Sequence, residues 1–418
     1  MDFYFPDSQD QIDPAFDFKT EERLPHRVRQ RDDLYAHEVH DQPPYTGMLV
    51  SKGIVDGLRG VGAGRYTAAQ RHRLYRLGVR DFFRLPPHLR TLGDCGAFSY
   101  VSHERPPYTV DEVINFYEHC GFDLGISVDH VILGYAPQAD EQGGADPDWV
   151  ERQGLTLQLA QEFLDRREQR RCNFTPMGVA QGWSPASYAY AVQRLQEMGY
   201  ERIALGGMVP LKTDQIIACL KAISEHRNAD TQLHLLGVTR TDSVEAFQGY
   251  GVTSFDSTSP FRQAFKDDRD NYYAPSGPHY TALRIPQVDA NTKLQRRIQA
   301  GDVDQDHARR LERACRTAIR DYDSGQGTVS ATLAALVEYE EMYGEVKEAR
   351  VERYRRTLDN APWQSCPCAV CRDAGAEVIV FRGTERNKRR GFHNLFVFFQ
   401  KLRNNLDAVR PAESEGVQ

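Results

Sequence analysis

The sequence predicts an α/β protein: a (β/α)8 TIM barrel with a helical insertion and a C-terminal zinc-binding subdomain. Three observations carry this. Short β-like runs alternate with amphipathic helical stretches between residues 47 and 256, which argues for a parallel sheet of seven or eight units. Neither Gly-x-Gly-x-x-Gly nor a P-loop occurs, which removes the usual nucleotide-binding reading of an open sheet. Near the C-terminus, Cys366-Pro-Cys368-Ala-Val-Cys371 with His393 offers three thiols and an imidazole, a set that closes a tetrahedral zinc sphere and leaves no open position for a substrate. Such a site is structural, so the chemistry must lie elsewhere.

The strands are expected at 47–52, Arg90–Asp94, 124–129, 173–181, 202–206, 232–238 and Val252–Asp256. Between them, apolar residues at helical spacing predict helices at 110–119, 149–167, 186–198, Thr213–Ser224 and 243–248. The pattern changes after residue 285. Two long charged helices, 291–323 and 329–358, are split by Gly325-Gln-Gly327. The expected domains are a barrel at 1–285, a helical insertion at 286–360 suited to nucleic-acid contact, a zinc-binding subdomain at 361–408 and a disordered polar tail at 409–418.

At 418 residues, 40 % hydrophobic and 27 % charged, the chain is a globular protein of one large barrel with attachments or of two domains. No run of about 18 apolar residues occurs, so no membrane span is expected. The N-terminus lacks the basic and apolar regions of a secretory signal. Cys95, Cys120, Cys172, Cys219 and Cys315 are scattered without disulfide-like spacing, which fits a reducing cytoplasm. The net charge of −7 does not suggest a nucleic-acid binder, but it can hide a patch. Arg382, Arg386, Lys388, Arg389 and Arg390 fall within nine residues, and Arg296, Arg297, Arg309, Arg310, Arg313, Arg316 and Arg320 within twenty-five. Clusters of this kind are either solvated helix faces or phosphate contacts.

In an α/β barrel, reactive groups sit at the C-terminal ends of strands. Asp94, Asp129, Gln181 with Gly182, Gly206 with Gly207, and Asp256 occupy that position. One strand-end Asp alone is usually a cap or turn former, but five converging polar sites are a stronger signal.

Each of these sites resembles a motif of the tRNA-guanine transglycosylase family, as does the Cys-x-Cys-x-x-Cys…His-Asn arrangement. Asp94-Cys-Gly-Ala-Phe98 resembles Asp-Ser-Gly-Gly-Phe, and Asp123-x5-Asp129 has the spacing of the paired Asp. Gln181-Gly182 matches Gln-Gly, Leu205-Gly206-Gly207-Met208 resembles Ile-Gly-Gly-Leu, and Leu236-Gly237-Val238 resembles Met-Gly-Val. Phe255-Asp256-Ser-Thr-Ser-Pro260-Phe-Arg262 keeps Pro and Arg at the family's offsets. The stretches Tyr4–Asp10, Arg31–Glu38, Pro44–Lys52 and Arg386–Asn394 resemble the DpdA branch, bacterial enzymes that replace guanine in DNA with 7-cyano-7-deazaguanine (preQ0) in modification–restriction systems.

The resemblance implies base exchange by double displacement. Asp256 would attack C1′ and hold the sugar covalently, and Asp94 would be the general acid/base. Asp129 would accept hydrogen bonds from the base, Gln181 and the Gly207 N–H would donate to O6, and Phe98 and Leu236 would sandwich the ring. Gly182, Gly206, Met208 and Gly237 complete the expected pocket. Zn²⁺ is the implied cofactor. The implied partners are duplex DNA with its target guanine flipped out, preQ0, other proteins of the same system and a second copy in a homodimer, with no membrane, in a bacterial cytoplasm. Arg262, Arg386, Lys388, Arg389 and Arg390 are the expected nucleic-acid contacts. Cys95, Ala97 and Ser257 depart from the motifs without removing a catalytic carboxylate. The gap of 110 residues between Asp256 and Cys366 is much longer than in bacterial tRNA enzymes. Two alternatives stand beside this reading: a tRNA-guanine transglycosylase, and a non-catalytic zinc-containing nucleic-acid-binding subunit, which the presence of Asp94 and Asp256 opposes.

Overall fold

A computed structural model describes residues 1–58, 62–139, 144–266 and 269–409. The chain forms two compact units: one of 1–8, 45–258 and the chain from 402 on, the other of 9–44 and 259–401. The expected tail lies, from residue 410 on, outside the described residues. No helix among the described residues is long and apolar enough to cross a membrane.

The first unit is a closed barrel of eight parallel strands. They are β1 Asp2–Pro6, β2 Gly47–Ser51, β3 Arg90–Asp94, β4 Leu124–Ile126, β5 Thr175–Ala180, β6 Arg202–Leu205, β7 Gln232–Leu235 and β8 Val252–Asp256. Each strand pairs with its sequence neighbours, and β1 closes the ring on β8 with Tyr4 opposite Asp256. The TIM barrel expected from the alternation of elements is therefore present. β1 was not expected as a strand: it is a short aromatic run ending on Pro6, and it precedes a long segment with no barrel helix. Helices α1 Ala68–Phe83, α2 Val110–Cys120, α3 Pro147–Gln169, α4 Pro185–Met198, α5 Thr213–Ser224 and α6 Val244–Gly249 belong to the same unit.

Alternation along the strands sends one face of each into the barrel. Tyr4, Leu49, Leu92, Leu124, Ile126, Met177, Val179 and Ala204 fill that interior, with Leu236 packed against them. Asp94 is two residues beyond Leu92 and so shares the inward face. Gly93, between them, faces outward and lies beside Gly125 of β4. Both positions abut the ring of Tyr117 from α2, and a Cβ at either would run into it. Tyr117 then donates its hydroxyl to the Ile126 carbonyl (2.8 Å), which ties α2 to β4 where the chain leaves the barrel towards Asp129.

The second unit holds α7 Thr292–Gln299, α8 Gln305–Asp323, α9 Val329–Tyr343 and α10 Glu348–Asn360. The two long helices expected here are in fact four. Gly301 takes a left-handed φ of +82° and Asp304 caps α8 through the His307 N–H, so the first stretch breaks. The second breaks at Gly344.

The basic run at 382–390 corrects an expectation. Arg386, Lys388, Arg389 and Arg390 are buried, at 2 %, 9 %, 6 % and 0 % exposure, and do not present a charged surface to nucleic acid. Arg382 and Arg386 bind Glu21, Arg386 also binds Glu377 (2.6 Å), and Arg389 binds Glu385 (2.8 Å). Arg390 donates to the carbonyls of Val378, Val380 and Ala264, and Lys388 to that of Gln11 (2.7 Å). The ring of Phe18 lies against Arg386 and Arg389. A buried guanidinium is tolerated only with such partners, so these cations hold the 9–44 segment within the unit.

Candidate active site

All the strands being parallel, their C-terminal ends open on one side of the barrel, and the expected site residues collect there. Asp94 ends β3 and Asp256 ends β8. Gln181, Gly206 and Leu236 each follow the last residue of β5, β6 and β7, and Asp129 lies three residues past β4.

Asp129 is 2 % exposed. Its Oδ2 accepts from the Gln181 amide (2.7 Å) and its Oδ1 from the Cys95 thiol (3.3 Å). Cys95 thus supplies one donor to this carboxylate. The Gln181 Oε1 accepts from the Ile132 N–H (3.2 Å), which fixes the amide orientation and leaves one N–H of Nε2 for a ligand. Gly206 and Gly207 are needed on two counts. A Cβ at Gly206 would collide with that amide, and Gly207 has φ +71° with the Ile132 carbonyl against its Cα hydrogen. The Gly206 carbonyl accepts from Tyr188 (2.7 Å), so the trans peptide turns the Gly207 N–H to the opposite side. Gly182 packs on the ring of Tyr188, and Met208 is buried with its carbonyl accepting from the Leu211 N–H (3.2 Å).

Asp256 is held from one side. Its Oδ1 accepts from the Gly237 N–H (3.1 Å) and faces Nε2 of His234 (3.2 Å). Gly237 therefore spends its N–H on the carboxylate. His234 was not anticipated from sequence, although a lone imidazole within the apolar run of β7 was a signal. Phe98 lies on the turn Ala97–Tyr100 after Asp94 and is 65 % exposed, so it is not barrel core. Asp123, by contrast, immediately precedes β4 at the other end, where Arg80 binds its carboxylate (2.7 Å). Arg262 is exposed and belongs to the second unit.

Two carboxyls here are hard to ionise. Burial pushes Asp94 up to about 6, with the charge of Asp256 adding to the effect and the N–H groups of Gly96 and Cys95 opposing it. Burial likewise pushes Asp129 up to about 7, helped by Asp94 and opposed by the bonds from Gln181 and Cys95. An acid poised near neutrality can both give and take a proton, which is what general acid/base chemistry requires.

In the second unit, Cys366, Cys368, Cys371 and His393 place their ligand atoms within 4.8 Å of one another. His393 Nδ1 is 3.5, 3.5 and 3.3 Å from the three sulfurs. Metal–ligand distances of about 2.3 Å to sulfur and 2.0–2.1 Å to nitrogen in a tetrahedron give a separation of about 3.5 Å, so the four atoms fit one ion. Nε2 of His393 faces the Tyr273 carbonyl (2.9 Å) and so carries the proton, leaving Nδ1 free to ligate. Tyr272 stacks on the imidazole at 3.8 Å and bonds Cys371 Sγ (3.2 Å).

The raised Asp129 carboxyl has a consequence for stability. Between about pH 4 and 7 the folded state binds the proton that the unfolded state has lost, so its stabilising contribution falls as pH rises. Asp129→Asn should flatten the decline in unfolding free energy between pH 5 and 8, by on the order of 1–3 kcal/mol. Denaturant titrations at the two pH values check this; equal slopes in the two proteins would contradict it.

No family model matches the chain. It is 51 % identical over 409 residues to a DNA-guanine transglycosylase of Salmonella montevideo, covering 97 % of each chain. It is 26 % identical over 189 residues to a tRNA-guanine(15) transglycosylase of Thermococcus onnurineus (strain NA1), covering 44 % of this chain and 30 % of that one. A queuine tRNA-ribosyltransferase of Chlamydia felis (strain Fe/C-56) matches over 83 residues at 25 % identity, 20 % of this chain and 22 % of that one. With half its residues shared along nearly the whole length of the first of these, the chain belongs to the DNA-guanine transglycosylase family, a branch of the guanine transglycosylases, and is a pentosyltransferase.

Proposed function

We propose that the protein exchanges guanine in DNA for preQ0 by double displacement through Asp256. The observation that carries this is the pairing of an anchored carboxylate, Asp256, with a carboxyl raised to about 6, Asp94, at one barrel mouth. In the first step an Asp256 oxygen bonds C1′ while the C1′–N9 bond breaks and its electron pair leaves with guanine, which Asp94 protonates. In the second, Asp94 takes the N9 proton of the incoming base, N9 bonds C1′, and the Asp256 carboxylate departs. Two inversions give retention.

Asp129, fixed by Gln181 and Cys95, accepts from N1–H and the exocyclic amine. Those donors favour its carboxylate form, so binding of the base releases a proton from it. The remaining N–H of Gln181 and the Gly207 N–H donate to O6. An analogue lacking the matching groups leaves buried partners unpaired and is rejected. Phe98, exposed beside Asp94, is suited to stack on the flipped base, with Leu236 on the other side. For the DNA backbone, the exposed Arg262, Arg296, Arg310 and Arg313 are better candidates than the buried 386–390 run.

We further propose that the ion held by Cys366, Cys368, Cys371 and His393 is a structural Zn²⁺, since four protein ligands leave it no open position.

The reading is tested by supplying labelled preQ0 with duplex DNA and with tRNA, using wild type and Asp256→Ala. Label is expected in DNA, lost by at least about 10³-fold in the folded variant. Label in tRNA alone, or in DNA with Asp256→Ala, would overturn it. Separately, Cys368→Ser should lose the metal, read by mass spectrometry of the native protein, and melt the region around it at a lower temperature. A metal-free wild type of unchanged Tm would contradict the structural role.

A further inference from the structure

Asp256 lies in an asymmetric setting. Both of its hydrogen bonds, from Gly237 N–H and from His234, fall on Oδ1. Oδ2 has no hydrogen-bond partner among the described residues. The imidazole that reaches Oδ1 is 1 % exposed, and its other nitrogen, Nδ1, is 2.9 Å from Ser254 Oγ. Ser254 and Asp256 are alternate residues of β8, so both project to the barrel interior, where His234 of the neighbouring β7 meets them. The ring of Tyr4, opposite Asp256 on β1, packs edge-on against the imidazole at 5.9 Å.

A carboxylate has no proton to give, so Nε2 of His234 must carry the hydrogen. Nδ1 then accepts from the Ser254 hydroxyl, and that bond sets the tautomer. We propose that His234, oriented by Ser254, is a positioning residue that anchors Oδ1 of Asp256 and reserves Oδ2 as the oxygen that bonds C1′. The proposal rests on Asp256 being the nucleophile.

The chemistry balances with no added reactant. As Oδ2 bonds C1′ the carboxylate becomes an ester, and the electron pair of the broken C1′–N9 bond leaves with guanine. On arrival of the second base the C1′–Oδ2 bond breaks and its pair returns to Asp256. The Nε2–H bond is stronger to the carboxylate than to the ester, so it favours that return. It also holds Oδ2 in line with the sugar throughout. Both effects belong to turnover rather than to capture of the free base, and that separates positioning from general damage to the pocket.

The experiment compares wild type, His234→Phe, His234→Gln, Ser254→Ala and Asp256→Ala as full-length proteins. It measures kcat and KM for the labelled base and the fraction of enzyme in a denaturation-resistant adduct with DNA. His234→Phe should lower kcat about 10²-fold with KM changed by less than about threefold, and should raise the adduct fraction because ester release slows. His234→Gln, whose amide can donate to Oδ1, should recover most of that loss. Ser254→Ala leaves the imidazole in place and should lower kcat about tenfold with the same split. Equal losses in Phe and Gln, a KM that rises as kcat falls, or wild-type kcat in folded His234→Phe or in Ser254→Ala would overturn the proposal. Exchange by Asp256→Ala would instead overturn the nucleophile reading beneath it.

Discussion

Asp94 and Asp129 lie at the same mouth as Asp256, and burial, more than the charge of a neighbouring carboxylate, makes both hard to ionise. A buried carboxylate is costly, and a like charge nearby adds to that cost, so the two acids are raised to about 6 and about 7. Such an arrangement persists only if the backbone under it cannot relax. Closure of the eight strands supplies that stiffness. Tyr117, wedged over Gly93 and Gly125, fixes β3 against β4 one residue before Asp94. Each acid then takes a different environment. Asp129 is held by neutral donors, Asp94 by backbone N–H groups, and Asp256 by an imidazole and a glycine N–H. Different environments suit three like side chains to different work, and the proposed mechanism uses them so: one to read the base, one to move protons and one to bond carbon.

The second unit uses charge in the opposite way. Its buried arginines are paired with Glu21, Glu312, Glu377, Glu385 and backbone carbonyls. Removing one partner would leave an uncompensated charge in the interior, so the network fixes the course of the 9–44 segment whatever its net contribution to stability. The Cys3His cluster acts beside it, with the Tyr273 carbonyl orienting His393 as a carbonyl orients many metal-bound imidazoles.

Much of this was legible in the sequence. Strands β2 to β8 were visible as short β-like runs alternating with helical stretches, and four of them end at or just before a site residue: Asp94, Gln181, Gly206 and Asp256. The thiol spacing marked the metal cluster outright. β1 was hidden because nothing helical follows it and Pro6 ends it. The helical block read as two long rods because Gly301 and Gly344 are weak breakers inside charged, helix-favouring stretches. The run at 382–390 misled for a physical reason: composition records charge but not the acids that meet it across 300 residues or more of chain, such as Glu21. His234 escaped because its placement depends on register. Only when β7 and β8 are aligned does its imidazole fall between Ser254 and Asp256.

The central claim is that one carboxylate among three, Asp256, carries the sugar during the exchange. The most direct measurement is to stop the enzyme on DNA by denaturation after the first base has left, digest both chains, and locate the residual nucleotide by tandem mass spectrometry. The account predicts a deoxyribose ester on the peptide containing Asp256 and none on those containing Asp94 or Asp129. A nucleotide on either of the other aspartates, or exchange that proceeds with no adduct at any residue, would contradict it.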